Sequence, residues 1–254
     1  MNQLVDLIIF VYGLFVGSFV NVVIDRIPNG ESIIWGRSHC DYCQKKLNWY
    51  ELIPVFSFLW LGRKCRKCKK TLSWQYPVVE ILTGFIFISL YSFTQFSIFQ
   101  FILLLSIFIG MEVVFIIDLK YGIIPDELVL FLVLSSIFYK IIYFPDKLLF
   151  SIICGIAYSS FFLLLTILTK GRGMGLGDVK LAFFIGLFLG FPDTVLSFYL
   201  AFLTGAAVSI ILILTGKKGF GNTIPFGPFM VISVIISYLF HAELWSIAGK
   251  YLGI

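Results

Sequence analysis

Charged residues are scarce in this sequence, and polar segments are few. Only 13% of the 254 residues are Asp, Glu, Lys or Arg, whereas 59% are hydrophobic. This composition excludes an ordinary soluble domain and is typical of a protein that crosses a membrane several times. Long linkers, internal repeats and low-complexity segments are also lacking. The composition therefore predicts an all-α, polytopic membrane protein.

Eight apolar runs are candidates for transmembrane helices, each of which needs about 20 apolar residues. The sixth run has only 13 residues and spans about 20 Å at a rise of 1.5 Å per residue. We expect such a short helix to begin below the membrane surface, so that its first residues lie in a wet recess. The runs cover residues 4–24, 77–93, 97–117, 128–144, 148–169, 179–191, 194–215 and 226–248.

Positive charge is distributed unevenly between the segments that connect these runs. If the N-terminus lies outside, the segments on the cytoplasmic side contain 16 of the 19 Lys and Arg residues. This positive-inside bias explains the net charge of +5, and without a soluble basic domain it excludes nucleic acid as a partner. No Lys or Arg precedes the first run, so we expect a retained span rather than a cleaved signal peptide.

One sizeable polar segment interrupts the apolar runs, and it divides the chain into three predicted parts. Its 48 or so residues contain few large apolar side chains and cannot bury much of a core by themselves. The predicted parts are a first transmembrane helix at 1–24, a cytoplasmic loop at 25–76 and a membrane helical bundle at 77–254.

The loop contains four cysteines in a C-x2-C-x21-C-x2-C pattern: Cys40, Cys43, Cys65 and Cys68. Two such knuckles suit tetrahedral Zn²⁺, and a reducing compartment disfavours disulfides. Four thiolates leave no open coordination position, so we expect a structural zinc that stabilises the loop. The alternative is two redox-active or adventitious cysteine pairs.

Two acidic residues lie at the ends of apolar runs. Asp118 ends the third run, and Asp178 opens the sixth after the alternating glycines of GRGMGLGDVK at 171–180. Two carboxylates that face each other can share a proton and activate water, and glycines let another backbone approach closely. The helix dipoles favour a proton on Asp118 and a charge on Asp178. The alternative is that Asp178 merely caps a helix and that the glycines form a flexible turn.

Four further polar residues lie in or beside the apolar runs. We expect Asn21 to make a hydrogen bond between helices and Arg26 to anchor the first helix at the membrane interface. Asp126 follows a proline and is predicted to be a helix N-cap, although it is also the second candidate for the first catalytic position. Glu112 is an intramembrane charge without an assigned role, and packing inside the bundle is the simplest interpretation.

Taken together, these elements resemble the type 4 prepilin peptidases, a family of bifunctional membrane aspartic proteases. The similarity covers nearly the whole chain. It rests on GSFVNVVIDRIP at 17–28, the two C-x2-C pairs, the D-x6-P-D segment from Asp118 to Asp126, GMGLGDVKLA at 173–182 and IPFGPF at 224–229.

This resemblance implies that Asp118 and Asp178 are the catalytic pair of a multi-pass enzyme in the bacterial inner membrane. It implies cleavage of prepilins or pseudopilins on the cytoplasmic side, after a glycine that ends a short basic leader. It also implies methylation of the new N-terminus from S-adenosylmethionine, and zinc on the four loop cysteines. No strand–glycine–helix unit of the Rossmann type is found, so the residues that bind the methyl donor are unassigned.

Small differences from the family pattern lie near the second knuckle. Gly62 is three residues before Cys65, where the family often has a glycine two before, and Gln75 replaces a frequent arginine. Two other functions stay open. Paired carboxylates also occur in proton-coupled transporters, and the loop alone would suit a zinc scaffold without catalysis. The sequence indicates contact with membrane lipid but not an oligomeric state.

Overall fold

The helices of the chain account for nearly all of its regular structure. A computed structural model describes residues 3–40, 42–94, 97–171, 174–216, 224–241, 243 and 245–246. Within these residues there is no β-strand, and only isolated bridges pair His39 with Lys46 and Lys64 with Thr71. The all-α prediction is thus confirmed. The helices are α1 Gln3–Arg26, α2 Phe56–Trp60, α3 Gln75–Phe93, α4 Ile98–Tyr121, α5 Asp126–Tyr143, α6 Leu148–Leu168, α7 Leu176–Leu189, α8 Asp193–Leu214 and α9 Gly227–Leu239.

Each of the eight predicted apolar runs overlaps one of these helices, although part of the eighth run lies outside the described residues. Five helical segments are long and apolar enough to cross a membrane. The other three differ: α5 carries three charged residues in its 18, α7 has 14 residues and α9 has 13. The five segments are Gln3–Asn29, Gln75–Phe93, Ile98–Tyr121, Pro145–Leu168 and Asp193–Leu214.

The chain forms two compact units, Met1–Val113 and Val114–Ile254, and the boundary falls inside α4. In the first unit, α1 packs along α3 through glycines. A Cβ on Gly17 would lie 2.6 Å from the Cα of Glu80, and one on Gly13 would lie 2.7 Å from the Cα of Gly84. Small residues at these positions let the two backbones approach closely.

Polar contacts join α1 to α3 and hold the segment that follows α1. Asn21 donates to the carbonyl oxygen of Tyr76 at 3.0 Å, which confirms the predicted interhelical hydrogen bond. Arg26 is buried, with 8% of its surface exposed, and its guanidinium donates to the carbonyl oxygens of Ser32 and Trp35. Arg26 thus organises the backbone that follows α1, and its anchoring at the membrane interface stays a prediction.

In the second unit, α6 packs against α7, again through glycines. A Cβ on Gly186 would lie 2.6 Å from the Cα of Gly155 and 2.7 Å from the carbonyl oxygen of Cys154. Large apolar side chains on α6 and on α8 stay exposed, as on a surface that faces lipid. Examples are Leu149, Leu164, Leu203 and Leu214. Packing and exposure together fit a bundle that is embedded in a membrane.

Candidate active site and metal centre

Asp118 lies in the last turn of α4, within the second unit. Only 5% of its surface is exposed, and among the described residues its Oδ2 has no hydrogen-bond partner. The backbone of Gly227, the first residue of α9, lies against this oxygen. A Cβ at Gly227 would be 2.6 Å from Oδ2, so a larger residue would push the carboxylate away. Burial makes a charged carboxylate costly at this position.

Asp178 lies at the N-terminal end of its helix, in the first turn of α7. Its Oδ2 accepts a hydrogen bond from the backbone N–H of Gly175 at 3.0 Å. Backbone N–H groups at a helix N-terminus stabilise a negative charge on this carboxyl, whereas its partial burial opposes that charge. Arg172 and Gly173 of the glycine-rich stretch lie outside the described residues.

The two aspartates interact with each other and share a neighbouring side chain. Asp178 and Asp118 are close enough to interact electrostatically. The side chain of Ile124 packs where Cβ atoms of both Gly177 and Gly227 would lie, at 3.0 and 3.3 Å. Because one glycine precedes Asp178 and the other lies against Asp118, Ile124 joins the two carboxylate environments. The arrangement can place a reacting group between two carboxyls, one buried and one hydrogen-bonded to the backbone.

Asp126 is the first residue of α5, and its helix is capped by Pro125 without a side-chain hydrogen bond. The predicted N-cap is therefore wrong. The carboxylate of Asp126 instead accepts hydrogen bonds from Lys180 Nζ at 2.7 and 2.8 Å. Both side chains of this ion pair are largely exposed, so it adds little stability, but it fixes a charge pair two residues after Asp178.

The four loop cysteines gather into one cluster, as their spacing predicts. Their Sγ atoms all lie within 4.8 Å of one another, and none is in a disulfide. Cys40 and Cys68 are 3.9 Å apart at sulfur, as are Cys43 and Cys65. Four sulfurs at about 2.3 Å from a central Zn²⁺ would lie about 3.8 Å apart in a tetrahedron. The cluster can therefore hold a metal ion with little rearrangement.

The two knuckles repeat the same backbone geometry. Cys40 N–H donates to the carbonyl of Lys45, and Cys65 N–H donates to that of Lys70. The residue four positions after the first cysteine has a positive φ in both, 54° at Gln44 and 60° at Lys69. This short structural repeat turns two separate segments towards one point and so brings the sulfurs together.

Backbone N–H groups in the second knuckle donate hydrogen bonds to a cysteine sulfur. Hydrogen bonds from the N–H groups of Cys68 and Lys67 lower the pKa of the Cys65 thiol to about 6. Nearby, burial acts to raise the pKa of Glu51, but hydrogen bonds from Asn48 N–H and Lys45 outweigh it, so the pKa is lowered. The resulting Lys45–Glu51 ion pair, 2.9 Å long, ties the first knuckle to the segment after it.

Two protein-family models match this chain. The model for the Bacterial Peptidase A24 N-terminal domain matches residues 11–94, and that for the Type IV leader peptidase family matches residues 102–210. A protein of Bacillus subtilis (strain 168), named prepilin leader peptidase/N-methyltransferase, is 30% identical, with 92% of this chain and 93% of the relative covered. The chain belongs to the type IV leader peptidase family. No solved structure is significantly similar to it.

Other relatives of this type IV leader peptidase family carry the same name. The Pseudomonas aeruginosa relative is 30% identical, with 91% of this chain and 89% of the relative covered. The Aeromonas hydrophila relative is 28% identical with the same coverage. Together with the five apolar helices, this membership identifies a multi-pass membrane protein. Nothing in these comparisons supports the proton-coupled transporter.

Some contacts around Asp118 and Asp178 have no signal in the sequence. The sequence does not predict the contacts of Gly227 and Ile124, although Gly227 belongs to the IPFGPF segment on which the family resemblance rests. The ion pair between Asp126 and Lys180 was also missed, because it joins residues from different helices. The remaining part of the loop before α9, residues 217–223, lies outside the described residues.

Proposed function

We propose that this protein removes the short basic leader from type IV prepilin-like proteins with Asp118 and Asp178. We also propose that it methylates the new N-terminal amine from S-adenosylmethionine. Membership of the leader peptidase family and the names of the relatives support both activities. The observation that carries the peptidase assignment is the pair of interacting carboxyls in unlike environments, one buried and one at a helix N-terminus.

In the proposed cleavage step, the ionised carboxylate of Asp178 takes a proton from water. The water oxygen attacks the scissile carbonyl carbon, while the protonated carboxyl of Asp118 donates a hydrogen bond to the developing oxyanion. The C–N bond then breaks, and the leaving amine takes up a proton. The burial of Asp118 and the Gly175 N–H on Asp178 support this division of roles.

The substrate's own hydrophobic helix would pack beside α7. A cavity of about 620 Å³ lies between α5, α6 and α7, with apolar walls that include Val129, Val133 and Phe183. Glu127 borders it and supplies negative charge for a basic leader, whereas Asp126 is already paired with Lys180. This geometry would bring the residue before the hydrophobic helix, where the leader ends, towards Asp178.

For the loop, we propose a structural zinc on Cys40, Cys43, Cys65 and Cys68. When bound, the metal supplies a tetrahedral crosslink between the two knuckles. The sulfur spacing supports this assignment. The active site would face the cytoplasm of a bacterium across its inner membrane, in line with the positive-inside distribution of Lys and Arg and with membrane lipid around the helices.

Mass spectrometry of a reporter prepilin tests the peptidase assignment. The wild-type protein, reconstituted in lipid, is expected to produce a pilin that lacks its leader and gains a methyl group when the donor is present. Asp118→Asn and Asp178→Asn variants should leave the leader in place. The control variant is Asp146→Asn, which changes an exposed aspartate in the connection between α5 and α6. It should cleave the reporter at the wild-type rate. Cleavage by either aspartate variant at the wild-type rate would overturn the assignment.

A further inference from the structure

Helix α2 lies in the loop of the first unit and has two unlike faces. Phe58 is buried and packs against the ring of Trp74, with the ring centroids 5.2 Å apart. Phe56, Leu59 and Trp60 are exposed over 56%, 65% and 77% of their surfaces. Residues three and four apart share one side of an α-helix, and the rings of Phe56 and Trp60 lie 5.5 Å apart. These three side chains form one exposed apolar strip, which we call the α2 strip.

The start of α2 is attached to α3 at a level within the span. Val55, the residue before α2, donates its backbone N–H to the buried carboxylate of Glu80 at 2.6 Å. Glu80 follows Gln75, the first residue of α3, by five residues, or about 8 Å along the helix axis. The 19 residues of α3 extend about 29 Å, nearly the thickness of a hydrocarbon core of about 30 Å. Since α3 has so little length to spare, α2 begins near the boundary between lipid headgroups and acyl chains.

Contacts with α1 place the inner side of α2 at a similar level. Ser57 and Phe58 line one cavity together with Phe15 and Phe19 of α1. Phe19 lies seven residues before Arg26, the last residue of α1, and therefore about 10 Å back along a span. Two neighbouring helices thus hold α2 beside their membrane segments rather than beyond their ends.

Basic residues follow the α2 strip directly. The chain reverses at Gly62 and Arg63, whose φ angles are 57° and 63°, and then enters the second knuckle. No Asp or Glu occurs between Glu51 and Glu80, so no carboxylate of this segment neutralises its positive charge. An apolar strip next to a positive segment is the pattern of an element that lies in the interface of an anionic membrane. The exposed cations of the knuckle are Lys64, Arg66, Lys67, Lys69 and Lys70.

We propose that α2 lies in the membrane interface, with the α2 strip inserted into lipid and the cations of the second knuckle bound to anionic phospholipid headgroups. Lipid is the occupant that the depth of α2 favours, because both ends of the loop continue into spanning helices. Tryptophan prefers this zone of a membrane, and Lys and Arg side chains reach from it towards the headgroups. The inference depends on neither catalytic activity. It adds a third attachment between the cysteine knuckles and the membrane, besides α1 and α3.

Tryptophan fluorescence tests the depth of the α2 strip. A full-length protein that keeps only Trp60 is reconstituted in phosphatidylcholine vesicles, in which part of the lipid is brominated in its acyl chains. The brominated lipid is expected to quench Trp60, whereas acrylamide in the water should quench it less than it quenches free N-acetyltryptophanamide. A protein that keeps only Trp74, the residue before α3, is the reference for a side chain at the start of a span. The other tryptophans, replaced by Phe, are Trp35, Trp49 and Trp245.

Two results would overturn the insertion of α2. Trp60 that is open to acrylamide and insensitive to brominated lipid would place the α2 strip in water. Trp60 that is shielded from both quenchers, with the shielding lost when the protein is diluted in lipid, would show that a second copy of the chain covers it. Should the protein with a single tryptophan not fold, the difference in quenching between the wild type and Trp60→Phe gives the same measurement.

The headgroup preference is tested by moving the bromine from phosphatidylcholine to phosphatidylglycerol at the same mole fraction. Brominated phosphatidylglycerol is expected to quench Trp60 more strongly. The double variant Lys64→Gln/Lys67→Gln should lose about fivefold of this preference for each cation removed. Lys46→Gln, which removes an exposed cation from the first knuckle, is the control and should keep it. Equal quenching by the two lipids, or an equal loss in the control, would overturn the assignment of headgroup binding to the second knuckle.

Discussion

Glu112, left without a role by the sequence, has a partner in Thr83. Its Oε2 lies 2.9 Å from Thr83 Oγ1, and the same hydroxyl lies 2.9 Å from the carbonyl oxygen of Val79. One hydroxyl hydrogen cannot serve both acceptors. The geometry is satisfied if Glu112 is protonated and donates to Thr83, which in turn donates to Val79. A neutral Glu112 packed inside the first unit agrees with its 6% exposure.

At the residue scale, Thr83→Val should therefore destabilise the protein. It removes the hydrogen-bond partner of a buried carboxyl, and such a loss costs about 1–3 kcal/mol. Thr204→Val is the matched control, because the Thr204 hydroxyl bonds to carbonyl oxygens of its own helix, those of Leu200 and Ala201. Thermal unfolding in detergent should show a clearly lower midpoint for Thr83→Val than for Thr204→Val. Equal midpoints would mean that Thr83 does not support Glu112.

At the element scale, helix pairs are joined where glycines remove side-chain bulk. Gly13 and Gly17 lie where α1 contacts α3, and Gly155 and Gly186 lie where α6 contacts α7. In a membrane, such close backbone contact replaces the hydrophobic effect as a source of packing energy. The sequence shows these glycines, but it does not show which helices they join, because each contact links residues far apart in the chain.

Gly186→Ala is expected to destabilise the α6–α7 pair. Its Cβ would collide with backbone atoms of Gly155 and Cys154, which cannot rotate away, and overpacking of this kind costs about 1–3 kcal/mol. Gly205→Ala is the control, since its Cβ would meet only the rings of Phe226 and Phe229 at 3.4 Å or more. Thermal midpoints should fall for the first variant and hold or rise for the second. A tolerated Gly186→Ala would contradict the packing described for α7.

The loop that carries the two cysteine knuckles is expected to depend on four sulfur atoms for its stability. If zinc links the knuckles, Cys65→Ser should lose most of the bound zinc and make the Lys- and Arg-rich loop sensitive to trypsin. Cys154→Ser is the matched control, because Cys154 lies on α6 and is not one of the four clustered cysteines. Elemental analysis and timed proteolysis measure both effects. A zinc-free wild-type protein whose loop still resists trypsin would contradict the structural role of the metal.

At the scale of the whole molecule, the two family matches and the two compact units divide the chain at similar places. The knuckles belong to Met1–Val113, and both aspartates belong to Val114–Ile254. The proposed metal centre and the proposed hydrolytic site thus use separate sets of residues. Each set is assembled within one unit from helix ends and the segments that follow them.

Hydropathy and spacing predict much of this arrangement. Apolar runs predict the eight helices because a span must satisfy its backbone internally, and the C-x2-C spacing predicts the sulfur cluster because each knuckle is local. Other features have no local signal. The positive φ of Gln44 and Lys69, the contact of Gly227 with Asp118 and the ion pair of Lys180 depend on tertiary context.

The central claim is that Asp118 and Asp178 act as one catalytic unit, and initial cleavage rates of the single and double Asn variants test it most directly. Residues that act together are strongly non-additive, because removing either one already disables the step. We predict that Asp118→Asn, Asp178→Asn and the double variant all cleave a reporter prepilin at the same residual rate, while Asp146→Asn matches the wild type. Single-variant losses that multiply in the double variant would contradict a shared mechanism.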